Sequence, residues 1–170
     1  LSKRKEFKSA NGPSLVYASI PGPELVQKAF ELGVGKEISG EVGAKVDFRY
    51  APPFPLKGKI IALGEQNPKN REAVIQMGSM KVIVTEKRRG YHEAKSLEAL
   101  GIKPAETDII VVKLGYLTKG LYDVRGDWMM ALTRGGVDQD LLKLTYNRID
   151  RPMFPFDADM PDPEFKVVDL

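Results

Sequence analysis

Thr107-Asp108-Ile109-Ile110-Val111-Val112-Lys113-Leu114-Gly115-Tyr116 is the stretch that decides the class of this chain. Its block from Ile109 to Val112 carries only β-branched residues and no polar alternation, the pattern of a strand covered on both faces in the middle of an α/β sheet. A helix-stop signal at Leu100-Gly101 precedes it and Gly115 follows it. The chain therefore emerges from the sheet beside Lys113, where a sheet-borne site is expected.

Upstream, Met77 to Thr85 reads as a second strand, most clearly at Lys81-Val82-Ile83-Val84-Thr85. Glu86-Lys87-Arg88-Arg89-Gly90 leaves it, and Tyr91 to Leu100 reads as a short helix. Gly101 is placed as a left-handed cap, Ile102 folds back on the helix, and Pro104 bars its continuation. If the two strands run parallel, Arg88, Arg89, His92, Lys113, Gly115 and Tyr116 gather near the carboxyl ends of the sheet. They are the candidate ligand-binding or interdomain residues.

Nearer the start, Leu15-Val16-Tyr17-Ala18-Ser19-Ile20 has strand composition. Pro21-Gly22-Pro23-Glu24 then opens a helix with proline near its first position and an acid in its first turn. Leu25, Val26, Ala29, Phe30 and Leu32 form its apolar stripe, and Gly33 ends it. Gly33-Val34-Gly35-Lys36 is a helix cap and turn, since it follows a helix and Lys36 precedes Glu37 instead of Ser or Thr. Val42, Ala44, Val46, Phe48 and Tyr50 alternate with polar residues or glycine, predicting a strand from Glu41 to Tyr50 with one wet face. Leu56 to Leu63 returns antiparallel to it, and Gly64 to Arg71 is a polar loop.

Beyond Tyr116, Met129 to Thr133 reads as a strand and Val137 to Leu144 as a short helix. Arg148 to Asp157 reads as an extended, proline-fixed segment whose aromatics dock on a surface. The whole suggests an α/β fold, a mixed sheet with a few short helices in a single compact domain. Residues 1–13 form a linker or lead, 14–157 the domain, and 158–170 an acidic tail.

Composition narrows the chemistry. Of 26 basic and 23 acidic residues in the 170, four and one lie within the first eight, leaving 22 of each in the rest. The body is neutral, which argues against a nucleic-acid-binding face. No run approaches the ~18 apolar residues of a membrane helix. Cysteine is absent, so disulfides, thiolate zinc sites and a cysteine nucleophile are excluded, and a cytoplasmic location is expected. The single histidine, His92, is too few for a catalytic zinc site. Neither Ser79 nor Ser96 sits in a nucleophile-elbow turn with it. Glu86 and Glu93 are the remaining acid/base pair, as any helix entry has.

Several stretches taken together are familiar. They are Gly33-Val34-Gly35, Leu56-Lys57-Gly58-Lys59-Ile60, Val82-Ile83-Val84-Thr85-Glu86-Lys87-Arg88-Arg89, Leu100-Gly101-Ile102-Lys103-Pro104-Ala105, Ile109-Ile110-Val111-Val112-Lys113 and Arg151-Pro152-Met153-Phe154-Pro155-Phe156-Asp157. In that order, from Leu15 to Asp157, the chain resembles the C-terminal domain of the MlrC (microcystinase C) family of metallopeptidases.

The resemblance implies a zinc-dependent hydrolase whose ligands and catalytic groups sit in a larger N-terminal domain. That domain would be the partner within the same polypeptide, and no cofactor is expected in this chain. The start at Leu1 agrees with a piece of a longer protein. Many members carry a Ser-x-His-Phe-like segment where this chain has Lys113-Leu114-Gly115-Tyr116-Leu117, a departure that leaves the substrate class open. The expected role is an accessory domain that completes or covers the zinc site. A peptide or a small anion is the candidate ligand. The alternative is an independent module without catalysis that holds a small anion at Arg88, Arg89, His92 and Lys113; a stand-alone hydrolase is a third, weaker reading.

Overall fold

Leu15–Pro21 (β1) lies between two strands that run parallel to it, and the rest of the fold is arranged around that placement. A computed structural model describes residues 6, 9–45, 47–64, 69–133, 135 and 138–165. After β1 come Pro23–Leu32 (α1), Glu37–Val42 (β2), Phe54–Gly64 (β3), Glu72–Met77 (β4) and Met80–Thr85 (β5). Ala94–Glu98 (α2), Ile109–Val112 (β6) and Lys119–Tyr122 (α3) follow. The six strands form one mixed sheet in the order β2-β3-β4-β5-β1-β6. β2 through β5 are antiparallel neighbours, whereas β5, β1 and β6 run parallel. The α/β class with a mixed sheet and short helices is therefore the fold observed.

Both sheet faces are covered where the chain crosses over. On one, Leu25, Val26 and Ala29 of α1 pack against Ile38, Leu56, Ile60, Ile75, Val82 and Val84. Pro23 opens α1, Glu24 lies in its first turn, and Gly33 closes it at φ 82° with its N–H on the Ala29 carbonyl at 2.9 Å. On the other face, Tyr91, Leu97, Leu100 and Ile102 from α2 and its flanks cover Val16, Ala18, Val74 and Ile83. Gly101 at φ 72° lets the Ile102 N–H return to the Leu97 carbonyl at 3.1 Å. The cap read from Leu100-Gly101-Ile102 is thus built as the sequence suggests.

Several expectations need correction. Among the described residues β6 is an edge strand, not a central one: β1 is its sheet neighbour there, and Ile109 is 39% exposed. An apolar run reports how greasy the two faces are, and says nothing about whether a strand lies on each side. The strand placed at 41–50 runs instead from Glu37 to Val42, because Gly43 (φ 79°) and Ala44 (φ 56°) turn the backbone out of extension. Val46, which that expectation used, lies outside the described residues.

Met77 belongs to β4, a strand not foreseen, and Gly78 (φ 60°) with Ser79 makes the hairpin to β5. The helix expected from Tyr91 to Leu100 is confined to Ala94–Glu98. Residues 129–133 are not a strand, and within 137–144 only Leu141–Lys143 forms a 3-10 turn. Val137, the expected start of that helix, and residues 65–68 of the polar loop lie outside the described residues.

The chain divides into two compact units, Leu1–Met130 and Ala131–Leu170. The first holds the sheet. In the second, Asp157 ties the Arg151 guanidinium at 2.8 Å and the Met153 N–H at 2.8 Å, while the Tyr146 and Phe156 rings meet at 4.9 Å. Phe154 in the same segment is exposed.

Candidate functional site

Three parallel strands run toward the same edge, Thr85 (β5) paired with Pro21 (β1) and Val112 (β6) paired with Ala18, and the segments leaving β5 and β6 carry every candidate residue read from the sequence. The parallel arrangement assumed for that reading is present, with β1 inserted between the two strands. β1 breaks register between Ala18 and Ile20, and the residues of that irregularity receive both exits. Ser19 Oγ donates to the Arg89 carbonyl at 3.2 Å, and the Lys113 N–H donates to the Ala18 carbonyl at 3.3 Å.

The β5 exit is held firmly. Arg71 donates from its backbone N–H and guanidinium to the Glu86 carboxylate at 2.9, 2.9 and 2.6 Å, which holds that carboxyl below its usual range. The Lys87 N–H donates to Asn70 Oδ1 at 2.7 Å. The Arg89 guanidinium donates to Glu72 Oε1 at 2.6 Å and lies over the Tyr91 ring, 4.8 Å from its centroid. Tyr91 donates its hydroxyl to the other Glu72 oxygen. Burial first, then the bond to the adjacent Glu72 carboxylate, drives the Tyr91 phenol well above the ordinary tyrosine range. Glu72 is 1% exposed, so these donors replace the water its side chain loses on burial.

The candidates therefore separate. Arg89 is tied into the buried Glu72 pair. Arg88 is exposed and has no hydrogen-bond acceptor among the described residues. Lys113 likewise has no acidic partner among them, and desolvation, with a contribution from the Arg88 charge, holds its ammonium below the ordinary lysine range. His92 is exposed; a Cβ at Gly90 would fall 2.6 Å from its Nε2, so the imidazole lies over Gly90. Its carbonyl accepts from Thr118 Oγ1. Gly115 is half-buried and Tyr116 exposed.

Neither the Ser79–His92 arrangement nor the Glu86–Glu93 pair assembles. Ser79 precedes β5 and His92 follows it, so the two stand toward opposite ends of that strand. Glu86 is bound to Arg71, whereas Glu93 lies against Gly120, where a Cβ would meet its Oε2 at 1.8 Å. Among the described residues no group of three or more His, Asp or Glu side chains is placed to hold a metal ion. The residues present do not fit a zinc centre.

Sequence reasoning did not single out Glu72 and Tyr91, which fix the exit loop. A charged residue opening the otherwise apolar run Ala73-Val74-Ile75 was the available signal, since a carboxylate entering a buried strand requires a cationic partner.

A family model described as MlrC C-terminus matches residues 1–148. Microcystinase C of a Sphingomonas species is 30% identical over 144 residues, covering 79% of this chain and 28% of that protein. A crystal structure of a candidate metallopeptidase from Mesorhizobium sp. BNC1 is similar over 70% of this chain and 28% of its own, with 20% identity and a TM-score of 0.47. The chain thus spans little more than a quarter of the length of either relative.

Proposed function

The chain belongs to the MlrC C-terminus family, and from that membership we propose that it is the accessory domain of a zinc metallopeptidase, completing or covering an active site carried by an N-terminal domain. The observation that carries this reading is the family match over residues 1–148 together with the small share of Microcystinase C that the chain covers. A relative of that name and length has room for a catalytic domain upstream.

The donor set agrees with a division of labour. Zinc sites draw on several imidazoles or on imidazoles with carboxylates, and this chain has one histidine, placed away from any acidic cluster among the described residues. In this reading the zinc and the general base belong to the N-terminal domain, and the parent protein is a hydrolase. This chain contributes a rigid surface, the carboxyl edge of β5-β1-β6, facing the cleft between domains. Arg88, Arg89, His92, Lys113, Gly115 and Tyr116 are its interdomain or ligand-contacting residues. The lack of cysteine suits a reducing compartment, and the same reading assigns the protein to the cytoplasm. Among the described residues no helix is long and apolar enough to cross a membrane.

The reading frame supplies the test. It should run upstream of Leu1 into a domain rich in histidine and carboxylate ligands, and the joined protein should hydrolyse peptides while the upstream part alone does so poorly. A start codon within a few codons of Leu1, or undiminished hydrolysis without residues 1–170, would contradict the proposal.

A further inference from the structure

The two adjacent residues Ala18 and Ser19 hold both exits of the parallel strands. One accepts the Lys113 N–H at 3.3 Å and the other donates to the Arg89 carbonyl at 3.2 Å. Lys113 and the Arg88-Arg89 pair are therefore drawn to the same point on the edge of the sheet. The backbone is anchored on both sides of Arg88, by the Lys87 N–H on Asn70 at 2.7 Å and by the Arg89 carbonyl, which accepts from Ser19 Oγ, while the Arg89 side chain is held on Glu72 at 2.6 Å. Its own side chain is left without an acceptor among the described residues, and so is that of Lys113.

We propose that Arg88 and Lys113 together bind the carboxylate of a small acid or a peptide terminus at the carboxyl edge of β5, β1 and β6. A guanidinium presents two parallel N–H donors that match the two oxygens of a carboxylate, and an ammonium beside it adds a point charge without a geometric demand. Two like charges gathered with no counter-ion among the described residues raise each other's cost, which a bound anion removes. The Lys113 ammonium is already partly desolvated and sensitive to Arg88, as that arrangement requires. Since the loop holding Arg88 is tied down before any ligand arrives, little ordering cost falls on binding. Arg89 takes no part, because its guanidinium serves Glu72. The inference does not depend on a metal-bearing domain, so its failure leaves the accessory-domain reading standing.

The test uses the isotope-labelled 170-residue chain at constant ionic strength, followed by NMR at the Arg88 Nε–H and the Lys113 side chain. It is titrated with succinate, with trialanine, with trialanine amide and with inorganic phosphate. Saturable shifts with succinate or trialanine, absent with the amide, are expected. Succinate alone would assign a small acid, and trialanine alone a peptide terminus. Both Arg88→Ala and Lys113→Met should weaken binding by about tenfold or more. Lys103→Met, at the other end of β6, should not. The proposal is overturned by the absence of saturable binding to either carboxylate, by saturation with phosphate alone, or by affinity unchanged in both variants while their spectra remain folded.

Discussion

The Arg89 guanidinium reaches the Glu72 carboxylate across 2.6 Å, joining the segment that leaves β5 to the first residue of β4. Glu72 is buried, so this pair and the Tyr91 hydroxyl bond decide the course of the loop that presents Arg88. Removing one partner of such a pair leaves an uncompensated buried charge. Arg89→Ala is expected to cost about 3 kcal/mol in chemical denaturation. The double substitution Arg89→Met with Glu72→Met should recover much of that loss, because the burial cost of both charges disappears together. A single substitution that leaves the unfolding midpoint in place would contradict the role assigned to Glu72.

Gly58 of β3 lies close against the β4 backbone. A Cβ there would lie 2.2 Å from the Gln76 carbonyl oxygen, which is backbone and cannot swing aside. Gly58→Ala should therefore destabilise the chain by about 1–3 kcal/mol. Amide exchange should accelerate first across β3 and β4. Unchanged protection of those strands would mean that the approach is looser than described.

Glu86 gives the acid limb of stability. Its hydrogen bonds from Arg71 hold the folded carboxyl below the 4.5 of an unperturbed glutamate. The unfolded chain then binds the proton more readily, so the stabilisation is complete above about pH 4.5 and is lost as pH falls through the folded value. Allowing for solvent screening of the partly exposed pair, about 1 kcal/mol is involved. Glu86→Gln should flatten that part of the stability profile, measured by urea denaturation between pH 5 and about 2.5. A profile with the wild-type slope would remove the pair from the account.

Lys113 acts at the other end of the pH scale. Desolvation and then the Arg88 charge lower its folded value below the 10.5 of a free lysine, so protonation costs more in the folded state than in the unfolded one. Stability should rise as pH climbs through the folded value toward 10.5. Lys113→Met should abolish that rise and raise the melting temperature slightly at neutral pH. A lowered melting temperature would show that the ammonium is paired in solution.

The sequence made the fold class legible because the apolar runs at Val82-Ile83-Val84 and Ile109-Ile110-Val111-Val112, separated by a capped helix, admit few arrangements other than parallel strands. The position of those strands in the sheet was not legible. β6 and β5 look alike as strings, yet one is an edge and the other lies between β4 and β1, a difference set by pairing partners distant in the chain. The hairpin at Gly78-Ser79 was hidden because Glu72 and Gln76 break the apolar pattern of β4. Arg88, Arg89 and Lys113 were legible as a group from the strand ends. That Arg89 belongs to the loop's internal support and Arg88 to its surface depends on Glu72, which lies seventeen residues away and is known only once β4 is paired with β5.

Metal content tests the central claim most directly. The purified chain, incubated with excess zinc and dialysed, is expected to retain no stoichiometric zinc by mass spectrometric elemental analysis. One zinc per chain surviving dialysis would place the hydrolytic centre within these 170 residues and contradict the accessory-domain account.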